Sequence, residues 1–330
     1  MKKYSSIFFA AVVAVCCLSA CGYNNFNMGT QTNNAQQIKV VTTIFPEYDW
    51  VKEIAGDEAS NMDITMLLDN GVDLHSYQPA ADDIMEISDC DLFIYVGGES
   101  DAWVEDALKE AVNENMKVIN LLDVLGSSVK EEEVVEGMET EEEISEEAGG
   151  ETEYDEHVWL SLRNAKILCK AIADELAEID TENADIYQEN EKAYADKLDA
   201  LDEKYQEAVE AASQRTLLFG DRFPFRYMAD DYGLSYYAAF VGCSAETEAS
   251  FETITFLAGK TDELGLKNIM TIEKSDQKIA KTIIENTKEK NQGILTLDSM
   301  QSTTSDDVKK GTTYFSVMEN NLNVLREVLQ

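Results

Sequence analysis

The chain has 330 residues, of which 65 are acidic and only 26 are basic, so its formal net charge is −39. Nucleic acids are bound by basic surfaces that neutralise phosphates, so this charge excludes nucleic acid as a partner. The length is sufficient for one large domain or two ordinary ones.

The N-terminus has the pattern of a bacterial lipoprotein export signal. Lys2 and Lys3 precede an apolar run over residues 7–17, and small residues then lead to Cys21. The run has about 11 residues, whereas a membrane-spanning helix needs about 20. We therefore predict a signal peptide over residues 1–20 and lipidation of Cys21.

A polar tether follows the lipidated cysteine. Residues 21–37 are rich in Asn and Gln and show no periodicity, which is typical of a flexible linker. We expect the folded part to lie on the extracytoplasmic face of the bacterial cell membrane, to which the lipid anchors it.

Predicted strands and helices alternate from residue 38 onward. Runs rich in β-branched and apolar residues predict the strands, and the segments between them predict the helices. The strands are predicted at 38–44, 62–67, 92–96 and 118–121, and the helices at 49–55, 80–88 and 102–112. This alternation indicates parallel strands joined by helical crossovers. We assign residues 38–163 to an N-terminal α/β lobe.

An acidic block interrupts this lobe. Residues 131–156 carry fourteen acidic residues and no basic ones, which predicts a disordered loop over about 130–156. One interpretation is that the acidic residues keep a surface insertion solvated. The alternative is that their carboxylates weakly collect cations beside a binding site.

A helical region over residues 164–213 follows the acidic block. From 181 to 213 no Gly or Pro interrupts the pattern, and such a helix would be about 50 Å long. Its apolar stripe is formed by Tyr187, Tyr194, Leu198, Leu201, Tyr205, Ala208 and Ala212. The stripe is too short for a coiled coil, so we predict a rigid helix linking two lobes.

A second alternating set predicts a C-terminal α/β lobe over residues 214–330. Its first strand is predicted at 216–219, another at 294–297, and the last helix ends at Gln330. The predicted fold is α/β, with two lobes whose mainly parallel central sheets are flanked by helices and joined by the long helix.

Three cysteines remain in the mature chain besides the lipidated one. They are Cys90, Cys169 and Cys243, and they are widely spaced. An odd count without a C-x-x-C motif argues against a disulfide framework or a cysteine zinc site. We predict three small buried side chains.

Only two histidines occur in the chain, His75 and His157, and both lie in loops that follow predicted strands. Asp221 and Asp298 also follow predicted strands. Ligands of parallel sheets bind at the carboxyl ends of the strands, and imidazole is the commonest ligand of transition metals. The four side chains are therefore candidate metal ligands.

Several motifs carry a resemblance to a known family. They are Phe-Pro-Glu-Tyr at 45–48, the segment 71–79 around His75, 95–99 with Trp103, 155–160 around His157, 187–190, 232–234 and 297–299. Together with the lipobox they resemble the metal-binding lipoproteins of zinc and manganese ABC importers, the cluster A-I solute-binding proteins of the zinc-uptake type. The resemblance extends in order over nearly the whole mature chain. It implies two α/β lobes joined by a rigid helix, a metal ion in the cleft, and delivery to an ABC importer permease with its separate ATPase.

The resemblance also implies four ligands, of which three match His75, His157 and Asp298. The third family position, a His or Glu, falls ten residues before Tyr232, on Arg222. A guanidinium does not lose its proton and cannot ligate a cation.

Two alternatives exist for the third ligand. Asp221 replaces it if the loop shifts by one residue, which is our prediction, or Arg222 neutralises an acidic cleft and the ligand is water or Glu246. Asp298 has an alternative role of its own as a cap of the following turn. Glu273 is a candidate outer acceptor for an imidazole N–H.

Two imidazoles and two carboxylates favour zinc, with manganese as the alternative cargo.

We expect a monomer without catalytic activity. A metal-dependent hydrolase would need a motif such as H-E-x-x-H, which does not occur. A surface adhesin remains an alternative, but it would give the two histidines no role.

Overall fold

The computed structural model of the chain describes residues 37–139, 153–244 and 248–330. The predicted signal peptide, Cys21 and Glu246 lie outside the described residues, as do all but the last residue of the tether. In the part that is described, the strands form two sheets of four, in which every strand pair is parallel. None of the described helices is both long and apolar enough to cross a membrane.

The first sheet confirms the four predicted strands to within two residues. The strands are β1 (Ile38–Thr42), β2 (Met62–Met66), β3 (Leu92–Tyr95) and β4 (Lys117–Asn120), in the order β2-β1-β3-β4. The helices are α1 (Phe45–Ala55), α2 (Ala81–Asp89), α3 (Val104–Lys109) and α4 (Leu121–Leu125). Helix α1 begins four residues before the predicted start, because Pro46 lies in its first turn and the buried Glu47 carboxylate accepts the N–H of Ile44.

Two long helices follow, α5 (Leu162–Ile179) and α6 (Ala184–Glu210). Helix α6 has 27 residues, a length of about 40 Å, and is shorter at both ends than predicted. The predicted stripe is confirmed as its buried face from Tyr187 to Tyr205. Asn190 of α6 donates to the carbonyl of Ile54 in α1 over 3.0 Å.

The second sheet is formed by β5 (Thr216–Phe223), β6 (Ser235–Val241), β7 (Asn268–Ile272) and β8 (Gly293–Leu297), in the order β6-β5-β7-β8. Its helices are α7 (Arg226–Tyr232), α8 (Phe251–Leu264), α9 (Lys278–Asn286), α10 (Ser305–Lys309) and α11 (Tyr314–Val328). The Tyr205 hydroxyl of α6 donates to the carbonyl of Met318 in α11 over 2.6 Å. Helix α6 therefore contacts helices of both sheets.

Strand β5 is longer than predicted, which corrects the placement of Asp221. The residue lies within the strand and does not follow it, because pairing with β6 resumes after a register shift between Phe219 and Arg222. A bulge of this kind lets a strand continue through a polar segment at which the apolar pattern stops.

Both sheets have the same strand order, so the second alternating set predicted from the sequence forms a sheet with the architecture of the first. In each sheet the first strand lies between the second and the third, and the connections leave it in opposite directions. Loops therefore diverge at the carboxyl ends of these central strands, where ligands of such sheets bind.

The ends of the acidic block are paired, which corrects the prediction of disorder for them. Glu131 forms an antiparallel bridge with Tyr154, and Glu139 forms a parallel bridge with Phe240 in β6. Because β6 is an edge strand, it has backbone groups free to bind this segment. The middle of the block, residues 140–152, lies outside the described residues.

Candidate metal centre

The first histidine is held in a short turn after β2. His75 lies in the 3-10 turn Leu74–Ser76, and the Asp73 carboxylate accepts its backbone N–H over 3.0 Å. The side chain is only 7% exposed. This capping interaction fixes the backbone from which the imidazole projects.

The second histidine is fully buried. One Asp155 oxygen, Oδ1, lies 2.9 Å from both the backbone nitrogen and Nδ1 of His157. Burial by itself lowers the pKa of His157, but the charge and hydrogen bond of Asp155 outweigh it and raise the pKa above its usual value. Asp155 therefore sets the ring orientation and makes Nδ1 the donor.

The structure brings the two imidazoles together. Nε2 of His75 and Nε2 of His157 are 3.1 Å apart, although the residues are 82 positions apart in the chain. Nδ1 of His75 lies 2.8 Å from Oγ of Ser100 and 3.3 Å from Oε2 of Glu156, so it too has acceptors. In the tautomer in which both Nδ1 atoms donate, the two Nε2 lone pairs face each other, and a cation between them would remove their repulsion.

The partner of His75 is itself positioned by the loop after β3. Oε1 of Glu156 accepts the backbone N–H of Ser100 over 2.9 Å. A Cβ at Gly98, whose φ is +83°, would lie 2.3 Å from Oε1 of Glu156, so only glycine leaves room for the carboxylate. Burial raises the pKa of Glu156, but the hydrogen bonds that it accepts from His75 and Ser100 outweigh burial and lower the pKa, which keeps the carboxylate anionic.

Cys243 is the third member of the cluster, and the sequence did not identify it. One ligand atom from each of His75, His157 and Cys243 lies within 4.8 Å of the others, and among the described residues these three form the only such group of three or more His, Cys, Asp or Glu. The prediction of a buried core thiol holds for Cys90 and Cys169 and is wrong for Cys243, which is partly exposed. A signal was available, because Cys243 lies two residues after the end of β6, in a loop of the kind in which the other candidate ligands were expected.

Asp221 lies outside this cluster. Its Oδ1 accepts the backbone N–H of Arg222 over 3.0 Å, and its Oδ2 lies 3.5 Å from the backbone nitrogen of Ile272 at the end of β7. Burial raises the pKa of Asp221. The carboxylate thus connects neighbouring strands of the second sheet.

Asp298 is also outside the cluster and caps a turn. Its Oδ1 accepts the N–H of Met300 over 2.8 Å, the alternative role considered from the sequence. Burial and the charge of Glu273 raise the pKa of Asp298 to about 6. Glu273 itself accepts the N–H of Ser299 over 2.7 Å, so the acceptors beside the imidazoles are Asp155 and Glu156 and not Glu273.

Arg222 forms a contact between the two halves of the chain. Its guanidinium bonds the carboxylate of Asp73, beside His75, and its Nη1 donates to the carbonyl of Ser244 over 3.4 Å. The position that the family resemblance gives to a ligand is therefore occupied by a cation that neutralises an acidic side chain, as one sequence alternative expected.

The arrangement suits a divalent cation of borderline softness. Imidazole nitrogens and a thiol sulfur are zinc-type ligands, and the carboxylates of Asp155 and Glu156 behind the rings raise the basicity of the nitrogens.

Comparison with known proteins agrees with this chemistry. The family model described as "Zinc-uptake complex component A periplasmic" (ZnuA) matches residues 40–328. The high-affinity zinc uptake system protein ZnuA of Bacillus subtilis is 30% identical over 332 residues, which cover 99% of this chain and 98% of that protein. The zinc-binding lipoprotein AdcA of Streptococcus pneumoniae is 31% identical over 330 residues.

A solved structure shares the fold. The zinc-bound ZnuA-like domain of Streptococcus pneumoniae AdcA superimposes with a TM-score of 0.69 at 28% identity, covering 89% of this chain and 99% of that domain. This chain spans 56% of the AdcA proteins of Streptococcus pyogenes and 61% of the pneumococcal one. The chain therefore belongs to the ZnuA family, the periplasmic component A of zinc-uptake complexes.

Proposed function

We propose that this chain captures zinc between His75 and His157 and delivers it to an ABC importer permease driven by a separate ATPase. The observation that carries the proposal is the approach of the only two histidines to 3.1 Å between their Nε2 atoms, with a carboxylate behind each ring. Burial of both imidazoles favours one fixed geometry for the ion. The protein transports the metal and does not carry out catalysis on it.

The two histidines provide two ligands, whereas zinc takes four. Cys243, Asp221 and Asp298 compete for the remaining positions. Each of the three comes from a segment of the second sheet, while His75 and His157 come from the first part of the chain. A bound ion would therefore connect the two lobes, which we place at residues 38–163 and 214–330 with the helical region 164–213 between them.

We further propose that the chain is anchored at the extracytoplasmic face of the membrane through lipidated Cys21 and works as a monomer. The sequence of the signal supports the anchor, and the pneumococcal relative is named a lipoprotein.

We also propose that the lobes move little on metal binding, which the contacts of helix α6 with both α1 and α11 support.

Competitive calorimetry on the chelator-stripped full chain tests the proposal. We expect one zinc ion per chain and displacement of bound manganese by zinc, because zinc lies above manganese in intrinsic affinity for such ligands. A strain lacking the gene should also grow poorly under zinc limitation and recover with the wild-type chain. Failure of the purified protein to bind either metal would overturn the proposal.

Asp155→Asn is expected to weaken zinc binding by about 10- to 100-fold, the usual effect of losing an outer partner of a metal-bound imidazole. The amide can accept one hydrogen bond from His157, but it does not carry the charge that increases the basicity of the ring. Isothermal titration with zinc measures the change. Asp123→Asn, at an exposed position in α4, is the matched control and should leave zinc affinity unchanged.

A further inference from the structure

We propose that Cys243 is the third ligand of the transported zinc, in the role that the family resemblance gives to a His or Glu, and that its sulfur selects zinc against manganese. The inference rests on the proposed function, because it assumes that the histidine pair binds the ion. It changes the ligand set expected from the sequence, in which Asp221 took this position.

The distances place Cys243 close to a coordinating position. Tetrahedral zinc with bonds of about 2.0–2.1 Å to nitrogen and about 2.3 Å to sulfur holds its ligand atoms roughly 3.3–3.6 Å apart. The histidine nitrogens are 3.1 Å apart, and all three ligand atoms of the cluster are within 4.8 Å of one another. Movements on the order of 1 Å therefore complete a three-ligand site.

The backbone around Cys243 fits closely against His157. A Cβ at Gly242 would lie 3.1 Å from Cε1 and 3.2 Å from Nδ1 of His157, so glycine lets the turn approach the ring. The N–H of Cys243 donates to Oε1 of Glu132 over 3.2 Å. The hydrogen bond to Glu132 and the close approach of Gly242 thus place the backbone of Cys243 beside His157.

The other side chains considered for the remaining zinc positions, and the arginine at the family's third position, form contacts outside the cluster. Arg222 binds Asp73 and the carbonyl of Ser244, Asp221 lies against the backbone of β7, and Asp298 caps the turn at Met300. Neither carboxylate lies in the cluster, so Asp221 or Asp298 would have to move to coordinate the ion, whereas Cys243 is already there.

Coordination by Cys243 has a defined chemistry. A bond forms between Sγ and zinc, the S–H bond breaks, and its proton passes to solvent, so no electron is transferred. A thiolate is a soft ligand that suits zinc, whereas manganese prefers oxygen ligands. The cysteine therefore narrows the range of metals that the cleft accepts.

Cobalt(II) titration of the full chain tests the assignment directly. Co²⁺ serves as a coloured probe of the zinc site, and a thiolate ligand adds a near-ultraviolet charge-transfer band that nitrogen and oxygen ligands do not give. We expect this band to saturate at one Co²⁺ per chain, to disappear on adding Zn²⁺, and to be absent in Cys243→Ser. Cys169→Ser, a buried thiol outside the cluster, is the matched control and should retain the band.

The affinities provide a second readout. Cys243→Ser should lower zinc affinity by about 100-fold or more, beyond the 10- to 100-fold typical of an outer partner. Cys243→His, which keeps a ligand atom, should restore most of the affinity without the band. Cys243→Asp should reduce the preference for zinc over manganese at least tenfold, which competition between the two metals measures.

The outcomes separate this inference from the proposed function. One cobalt ion bound through the histidines without the band, together with full zinc affinity in Cys243→Ser, would overturn the cysteine assignment and leave zinc capture intact. Absence of any cobalt or zinc binding by the wild-type chain would overturn both. Thermal unfolding of the metal-free variants verifies that each one is folded.

Discussion

Replacing His157 by alanine is expected to reduce zinc affinity by roughly 100- to 1000-fold. Zinc sites with four protein ligands bind with about 10–16 kcal/mol, so each ligand contributes roughly 2.5–4 kcal/mol. His157 is fully buried, and the only other histidine of the chain, His75, is itself a proposed ligand with its Nε2 3.1 Å away, so no further imidazole can replace His157. Competition against a chelator of known zinc affinity measures the loss.

His75→Ala is the matched variant, because both histidines are proposed to bind the same ion. The two single losses should be similar, and the double variant should lose less than the product of the two, since the second deletion acts on a site that is already broken. A folded His157→Ala protein that binds zinc within tenfold of the wild type would contradict the site. The midpoint of thermal unfolding without metal should be measured for each variant, because His157→Ala removes the imidazole partner of the buried Asp155 carboxylate and leaves it only the backbone N–H of residue 157.

Asp49→Asn is expected to stabilise the metal-free protein at pH 8 by up to about 4 kcal/mol. The side chain lies between α1 and α11, where it accepts the N–H of Tyr314 over 2.8 Å. Burial raises the pKa of Asp49 from 3.8 to about 7. Between pH 3.8 and about 7 the folded state therefore keeps a proton that the unfolded chain has already lost, and above pH 7 it must hold a buried charge.

The sign of the pH dependence follows from this raised pKa. The stability contributed by protonated Asp49 is fully present below its unfolded pKa of 3.8 and is lost as the pH rises to about 7. Asparagine stays neutral at every pH and can still accept the N–H of Tyr314. The free energy of unfolding in urea should therefore differ little between variant and wild type at pH 4 and most at pH 8.

Asp57→Asn removes the same charge from an exposed turn and controls for the change in net charge. Equal unfolding curves for wild type and Asp49→Asn at pH 8 would show that the folded protein accommodates the ionised carboxylate.

Much of the site could be predicted from the sequence because its chemistry is rare in this chain. With only two histidines among 330 residues, their selection required little structural knowledge. Predicting which carboxylates bind the metal was harder, since a chain with 65 acidic residues has many candidates. Asp221 was placed after a strand because the apolar pattern ends at Phe219, but the strand continues through a register shift that depends on pairing with β6.

Cys243 shows the limit of spacing arguments. Its isolation from other cysteines in the chain predicted a small buried side chain, yet the fold brings it to two histidines that are 168 and 86 residues away in sequence. Motifs such as C-x-x-C detect only ligands that are close together in the sequence, whereas the residues of this cluster come from three separate loops.

The sequence by itself determined the alternation of strands and helices, the long helix and the two imidazoles, because local hydrophobic periodicity and residue scarcity are visible along one chain. Only the tertiary structure decided which groups meet: the pairing of Arg222 with Asp73, the carboxylates behind each histidine, and Cys243 beside them. The physical reason is that strand register and loop packing set these distances. They depend on contacts between residues far apart in sequence, which no local pattern encodes.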